Sequence, residues 1–298
     1  MDLISKKHYF LGFSAVVVAA NIIAIAVFGL RQGIDLKGGS RWQVAFTDSV
    51  PAEQVVVEAL HVAVPAHEAI VKRASGGDFL IRLPSITPTE YVTYQSALRG
   101  VGGYHERSFS NIGPVIGSEL REKALWAIVL VLLGISLYVA FAFRKVSEPV
   151  RSWKYGVVTL LTLFHDVIIP TGMLAILGNW KGIEIDTNFI VALLVVMGFS
   201  VHDTIVVFDR IREHLLKEKG RRVDLAVIVN QSVQETYVRS FSTSLTLILV
   251  LVALLIFGPA SLFYFVLTML VGTVFGTYSS IFVASPLLYL WGRKVPAK

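Results

Sequence analysis

The 298-residue sequence contains no cysteine, which excludes disulfides and thiolate metal sites. It also lacks a glycine-rich phosphate loop, a histidine–carboxylate cluster at metal-ligand spacing and a pair of carboxylates exposed to water. An enzymatic reading therefore finds no support, and neither a metal nor a bound cofactor is expected. The formal charge of +6 is no nucleic-acid signal, because the basic residues are sorted by loop instead of gathered in one patch. What the chain has in abundance is apolar surface. Hydrophobic residues make up 54% of it and mean hydropathy is +0.67, outside the range of soluble domains.

Six segments are long enough to cross a bilayer, which takes ~20 residues each. They lie at 9–30, 124–143, 155–177, 187–208, 238–257 and 262–291, the last long enough to be tilted or to extend beyond the membrane. The first follows Lys6, Lys7 and His8, but its apolar run exceeds that of a signal peptide, so it reads as a retained anchor. Arg144, Lys145, Arg151 and Lys154 fall between spans two and three. Arg210, Arg212, Lys217, Lys219, Arg221 and Arg222 follow span four, and Arg293, Lys294 and Lys298 follow span six. The two short loops on the other side carry only Lys181. The bias toward Lys and Arg on the cytoplasmic side makes both termini cytoplasmic and residues 31–123 extracytoplasmic. The expected divisions are 1–30 (N-terminus and first helix), 31–123 (external domain), 124–291 (helices two to six) and 292–298 (tail).

The external domain alternates like a strand at 42–46 and has helical spacing at 51–63. Strands follow at 67–73 and 78–83 around the turn Ala74-Ser75-Gly76-Gly77, then a helix from Thr87 to near Gly100 and a strand at 104–110. The order β-α-β-β-α-β is the ferredoxin-like pattern. His61, His67 and His105 are scattered without metal-ligand spacing and read as surface or packing residues. Contact with another protein is the expected job of this domain. Glycine-bearing joints flank it: one holds Gly38 and Gly39, the other Gly113, Pro114 and Gly117. They read as a hinge between domain and membrane, or as plain loop chemistry.

The spans also hold ionisable groups, which are costly in hydrocarbon and mark ion paths, proton relays or ion pairs within a bundle. His165 and Asp166 sit near the middle of span three, and His202 and Asp203 in the inner part of span four. Arg239 opens span five beside Ser240, Ser242, Thr243 and Ser244. At 1.5 Å per residue Asp203 stands ~10 Å above Arg210, a depth that the side chain of Arg239 can reach. A proton relay and a static salt bridge between two helices both fit that pairing. His165 is either a relay member or simply the partner of Asp166, and Arg239 is alternatively a snorkelling cation at a helix end.

GIDLKGG (33–39), NIGPVIGSEL (111–120), FHDVIIPTG (164–172), EID (184–186), GFSVHDTIVVFDRIRE (198–213), VRSFSTSLT (238–246) and GTYSSIFVASPL (276–287) follow one another over nearly the whole chain. In these the sequence resembles the SecF family, the smaller partners of SecD in the bacterial SecDF complex of the Sec translocase. The resemblance implies a polytopic α-helical membrane protein: six transmembrane helices forming half of a resistance-nodulation-division (RND) bundle, with a small α+β ferredoxin-like domain between helices one and two. It implies proton-motive assistance to protein export in the bacterial cytoplasmic membrane. The implied partners are SecD, the SecYEG channel with SecA, the translocating unfolded polypeptide and membrane lipids, with no nucleic acid. It ties Asp203 and Arg239 to proton conduction and aligns Asp166 with the aspartate of the family's span-three pair; His165 and His202 become possible relay partners. The chain departs from the family at His202, where many relatives have Asn, and at Leu36 and Lys37 in the first glycine motif. A small-molecule or lipid exporter of the same superfamily and a purely structural channel subunit are the rival readings.

Overall fold

The computed structural model describes residues 2–47, 50–73, 77–144, 150–218 and 224–292. Turn residues 74–76, the basic residues Lys145, Lys219, Arg221 and Arg222, and tail residues 293–298 lie outside them. The chain divides into two compact units, Met1–Arg31 with Trp126–Lys298 and Gln32–Leu125.

Helix α1 (Lys7–Phe28) opens the first unit. The second unit comprises α2 (Ile34–Lys37), β1 (Gly39–Phe46), α3 (Glu53–Ala63), β2 (Ile70–Arg73), β3 (Phe79–Leu83), α4 (Pro88–Val101) and β4 (Tyr104–Ile112). Its strands form one antiparallel sheet in the order β2-β3-β1-β4, the ferredoxin-like arrangement that the element order predicts. Alternation sends Trp42 and Val44 of β1 and Phe79 and Ile81 of β3 to one face, where Val56, Leu60, Tyr94 and Leu98 from the two longer helices cover them. Trp42 is fully buried, and its indole N–H donates to Glu106 (2.9 Å), which also accepts from the Tyr91 hydroxyl (2.6 Å). Thr87 and Glu90 close a capping box at the start of α4. The expected strand at 67–73 begins only at Ile70, because the His67 amide turns back to the Val64 carbonyl (3.1 Å).

Helix α5 (Pro114–Ala142) leads back to the first unit, which continues with α6 (Ser152–Lys181), α7 (Thr187–Lys217) and α8 (Leu225–Phe257). The sixth span is composite: a 3₁₀ turn at Ala260–Leu262, α9 (Phe263–Ser279), a π turn at Ser280–Ala284, and α10 (Ser285–Gly292). All six spans have the length and hydropathy to cross a membrane. The most apolar stretches of α6 and α7 are 56% and 44% buried, against 6% in α5 and 17% in α8, so α6 and α7 form the enclosed centre.

Small residues let helices approach that centre. A Cβ at Gly276 on α9 would stand 3.0 Å from the Ser200 Cβ on α7, and one at Gly272 would overlap the Val196 side chain. Ser136 on α5 donates to the Gly156 carbonyl on α6 (2.7 Å) where these helices cross. Asp186 and Asp224 cap α7 and α8 by accepting from the amides of Phe189 (3.0 Å) and Ala226 (2.8 Å).

Two expected boundaries are corrected. Span five is read from the sequence at 238, yet α8 starts at Leu225. Leu225, Ile228, Val229 and Val233 bury one stripe while Gln231 and Glu235 stay outside, an amphipathic stretch that an apolar window cuts off. The uniform span at 262–291 is interrupted by the π turn, where Ser285 Oγ donates to the Ser280 carbonyl (3.4 Å).

Candidate functional site

Asp166 is fully buried at the centre of α6. Its Oδ1 meets His165 Nδ1 at 2.8 Å, and its Oδ2 accepts from Ser279 Oγ on α9 (2.8 Å) and from Ser200 Oγ on α7. The α7 residues Ser200, Asp203, Thr204 and Val207 recur at helical spacing and face inward together. Thr204 Oγ1 donates to the Ser200 carbonyl (3.2 Å) and lies 3.0 Å from Ser280 Oγ, at the start of the π turn. The His165 ring lies beside Phe275 and stacks near Tyr278 (centroids 6.5 Å, planes 22° apart). His165 Nε2 is buried without a hydrogen-bond partner.

Asp203 forms a second centre one turn along α7. It is 1% exposed and accepts from Ser244 Oγ on α8 (3.0 Å). Ser244 in turn accepts from Thr277 Oγ1 of α9 (2.6 Å) and lies 2.9 Å from the Ser240 carbonyl. Its single proton therefore has two alternative acceptors, the Asp203 carboxylate and the Ser240 carbonyl, and Thr277, Ser244 and Asp203 form a hydroxyl chain that ends on the carboxylate. Among the described residues no group of three or more His, Asp or Glu side chains converges to hold a metal ion.

The structure does not form the Asp203–Arg239 ion pair that helix depth allows. Arg239 is exposed; its carbonyl accepts from Thr243 Oγ1 (2.9 Å), and among the described residues its guanidinium meets no carboxylate. Depth sets height but not direction: Ser240 and Ser244 take the inward face of α8, and Arg239 lies about 140° around the helix from Ser244. His202 is likewise exposed, with no hydrogen bond among the described residues, whereas His165 contacts Asp166 directly. Arg210, at the inner end of span four, joins Glu213 and Glu235; His214 adds a 2.9 Å contact to Glu235.

Sequence reasoning did not single out Ser200, Ser279, Thr277 or Glu235. The first three are hydroxyls inside quoted motifs, and their signal was spacing: Ser200 precedes Asp203 by three positions, one helical turn.

The two glycine joints meet within the second unit. A Cβ at Gly38 would lie 2.7 Å from the Pro114 Cα, and one at Gly117 would lie 2.5 Å from the Gly38 nitrogen. Gly38 and Gly39 also hold φ of 84° and 132°, which side chains disfavour. Gly113 has open space around it.

Six membrane-length helices around two buried carboxylates, each held by hydroxyls of neighbouring helices, define a multi-pass membrane protein with a polar centre. Residues 93–294 match the family described as "Protein export membrane protein SecD/SecF, C-terminal", and residues 23–50 match the "SecD/SecF GG Motif". The protein translocase subunit SecF of Thermobaculum terrenum is 42% identical over 99% of this chain and 95% of its own length. Subunit SecDF of Bacillus subtilis is 33% identical over 99% of this chain and 38% of its own. The crystal structure of SecDF from Thermus thermophilus superposes with a TM-score of 0.83 at 31% identity. A SecDF structure in a super-membrane-facing form gives 0.69 at the same identity. This chain covers 39% of each solved chain. It belongs to the SecD/SecF family.

Proposed function

We propose that this chain is the SecF-type half of a proton-driven protein-export device, paired with a SecD-type half in the bacterial cytoplasmic membrane. Its relatives are named protein translocase subunits, which supports a role in export and disfavours a small-molecule or lipid exporter. SecDF relatives carry more than twice this length in one chain, which supports a companion half. Both termini lie in the cytoplasm, and the ferredoxin-like unit meets the substrate chain as it leaves the SecYEG channel after SecA has driven it in. The role is mechanical and non-enzymatic, and it uses no bound cofactor.

The observation that carries the proton reading is Asp203, nearly inaccessible and bonded to a hydroxyl whose proton can be directed two ways. The two charge states of such a carboxylate differ greatly in solvation cost, so gain or loss of a proton is coupled to packing. In this reading Arg239, exposed on the same helix that supplies Ser244, faces the companion half; its exposure supports that assignment. Asp166 serves the same path, with His165 as its partner; His202 lies outside it. A proton crossing 100 mV supplies ~2.3 kcal/mol, about a fifty-fold bias on a two-state element. That is enough to prevent backsliding of a chain but not to unfold a stable domain. The drop in TM-score between the two SecDF forms supports a change of shape over the matched region, with the joint at Gly38, Gly39, Gly113, Pro114 and Gly117 as hinge.

The test is export of a secreted reporter in cells carrying Asp203→Asn, with SecD co-purification measured alongside. An intact complex with export near the null level is the expected outcome. Normal export returns Asp203 to packing, and loss of the complex favours a purely structural subunit.

A further inference from the structure

We infer that residues 2–6 form a strap that ties the start of α1 to the first turns of α8, so that movement of α8 is passed to α1 and on to the external unit. This goes beyond the proton-coupled reading above and rests on it for the source of that movement.

One side chain closes the strap. Asn230 Oδ1 accepts from the amides of Leu3 (3.0 Å) and Ile4 (3.1 Å), and Asn230 Nδ2 donates to Asp2 Oδ1 (2.9 Å). The two backbone amides need an oxygen and the carboxylate needs an N–H, so a side-chain amide serves both where aspartate would lack the donor. Asp2 Oδ1 also accepts from the Ser5 amide (3.2 Å), and Ser5 Oγ donates to the Asp2 carbonyl (3.2 Å). Residues 2–5 are thereby folded into a turn that presents both amides to α8.

Apolar packing holds the turn down. Leu3 and Ile4 are 1% and 4% exposed and share a core with Ile211, Val229, Val233 and Leu288. At the junction with α1, Lys7 Nζ donates to the Ile4 carbonyl (3.1 Å) and lies over the Tyr289 ring of α10 (5.7 Å).

The helices at either end of the strap are stiff. α8 is unbroken from Leu225 to Phe257, so Asn230 and Ser244, the donor to Asp203, ride on one helix ~21 Å apart. α1 is unbroken from Lys7 to Phe28, and the second unit begins at Gln32. Elsewhere α1 lies against α6, where a Cβ at Gly172 would overlap Asn21, and Tyr278 of α9 donates to the Phe10 carbonyl (3.1 Å). The strap adds an attachment to the helix whose hydroxyl serves Asp203. It also gives the amphipathic stretch that begins α8 at Leu225 a task, as the anchorage of the first span.

The test uses the full chain with its SecD-type partner in lipid bilayers. Amide hydrogen exchange at Leu3 and Ile4 should be slow, and Asn230→Ala should speed it about tenfold or more, since both amides lose their acceptor. The chain has no cysteine, so spin labels on His8→Cys and Val227→Cys, both exposed positions, report one distance between α1 and α8. That distance should be narrowly distributed and should broaden in Asn230→Ala. Asn230→Asp sets a second carboxylate beside Asp2 and should open the strap too; adding Asp2→Asn restores a donor between the two positions and should close it again. Export of a secreted reporter should fall toward the null level in Asn230→Ala while SecD still co-purifies, and should recover in the exchanged pair. Where Asn230→Ala fails to assemble, Asn230→Asp against the exchanged pair makes the same comparison. Fast exchange at Leu3 and Ile4 in the unaltered chain, or a distance that stays narrow in Asn230→Ala, overturns the strap. An open strap with normal export overturns its role as a link. Export by Asp203→Asn separates the two readings. If that variant stalls while Asn230→Ala exports normally, the link alone fails; if it exports normally while the strap variants behave as expected, the proton-coupled reading alone fails.

Discussion

Gly117→Ala offers a sharp test of the crossing between the two glycine joints. Residue 117 lies near the start of α5, where exchanging Gly for Ala in open space would gain up to ~1 kcal/mol in helix propensity. Here the new methyl would stand 2.5 Å from the Gly38 nitrogen, 3.0 Å from the Lys37 carbonyl carbon and 3.2 Å from the Gly38 Cα. All three atoms are backbone, and a Cβ at Gly38 would itself meet Pro114, so the strand of chain opposite has little room to retreat. Overpacking of this kind costs ~1–3 kcal/mol, and the propensity gain offsets only part of it. The expected net loss is about 1–2 kcal/mol. Because β1 is central in the sheet and continues directly from Gly38, its amides report opening of the whole unit. Hydrogen exchange of Gly39–Phe46 in the full chain should accelerate about tenfold, 1.4 kcal/mol being tenfold in an equilibrium. Gly100→Ala on α4 is the control: nothing lies within 4 Å of its added methyl, and exchange should stay constant or slow. Unchanged or slower exchange in Gly117→Ala would refute the close crossing.

Other expectations follow from the same geometry. Burial, with Glu106 beside it, pushes the Tyr91 hydroxyl up to about 12. Its contribution to the external unit is therefore complete below ~10, the unfolded value, and is lost as pH rises from there through about 12. Tyr91→Phe should flatten the alkaline loss of stability when unfolding is followed across this window by circular dichroism. Hydrogen bonds from Thr87 hold the Glu90 carboxyl below its usual range, so its contribution is present above the ordinary carboxylate value and fades as pH falls through the lowered one. Thr87→Ala keeps the backbone donor and deletes the hydroxyl, so it should reduce that acid sensitivity and cost ~1 kcal/mol of stability as a lost cap, measured by denaturant titration. Gly276→Val, which drives a branched side chain against Ser200, should separate α7 from α9 and lower the melting temperature of the detergent-solubilised chain; an unchanged melt would contradict their close approach.

The large-scale architecture was legible because its signals are local. Apolar runs of membrane length and alternating strands around a turn depend on neighbours in sequence, and they yielded six spans and the ferredoxin-like order. The start of α8 escaped because the stretch from Leu225 to Tyr237 carries polar residues on its outer face, which dilute an average over all sides of the helix. The π turn escaped because Ser280–Ala284 contains neither proline nor glycine to announce it. The site was legible as residue types but not as partners. His165 and Asp166 are adjacent in sequence and proved to touch, but the hydroxyls of Ser200 and Ser279 converge on Asp166 only through the packing of α6, α7 and α9. Asp203 and Arg239 share a depth, and the azimuth that separates them is fixed by which face of α8 packs inward.

That difference in azimuth bears on what the two carboxylates can do. Asp166 meets donors from three helices of its own chain, His165 on α6, Ser200 on α7 and Ser279 on α9, so its environment is complete within this chain. Among the described residues Asp203 has one hydroxyl donor, whose proton is contested by a carbonyl, and Arg239 is exposed on α8. A carboxylate so sparsely supported is costly to keep charged in an apolar bundle, and a guanidinium facing hydrocarbon is costlier still. Both costs fall if a companion surface covers α8 and brings carboxylate acceptors of its own to Arg239. On this reasoning Asp166 should keep its protonation behaviour when the chain is separated from its companion, whereas Asp203 should not. Carboxylate infrared bands of the two, assigned by Asp166→Asn and Asp203→Asn, should therefore respond differently to removing the companion. Equal responses would mean that the exposed face of α8 contributes nothing to the site.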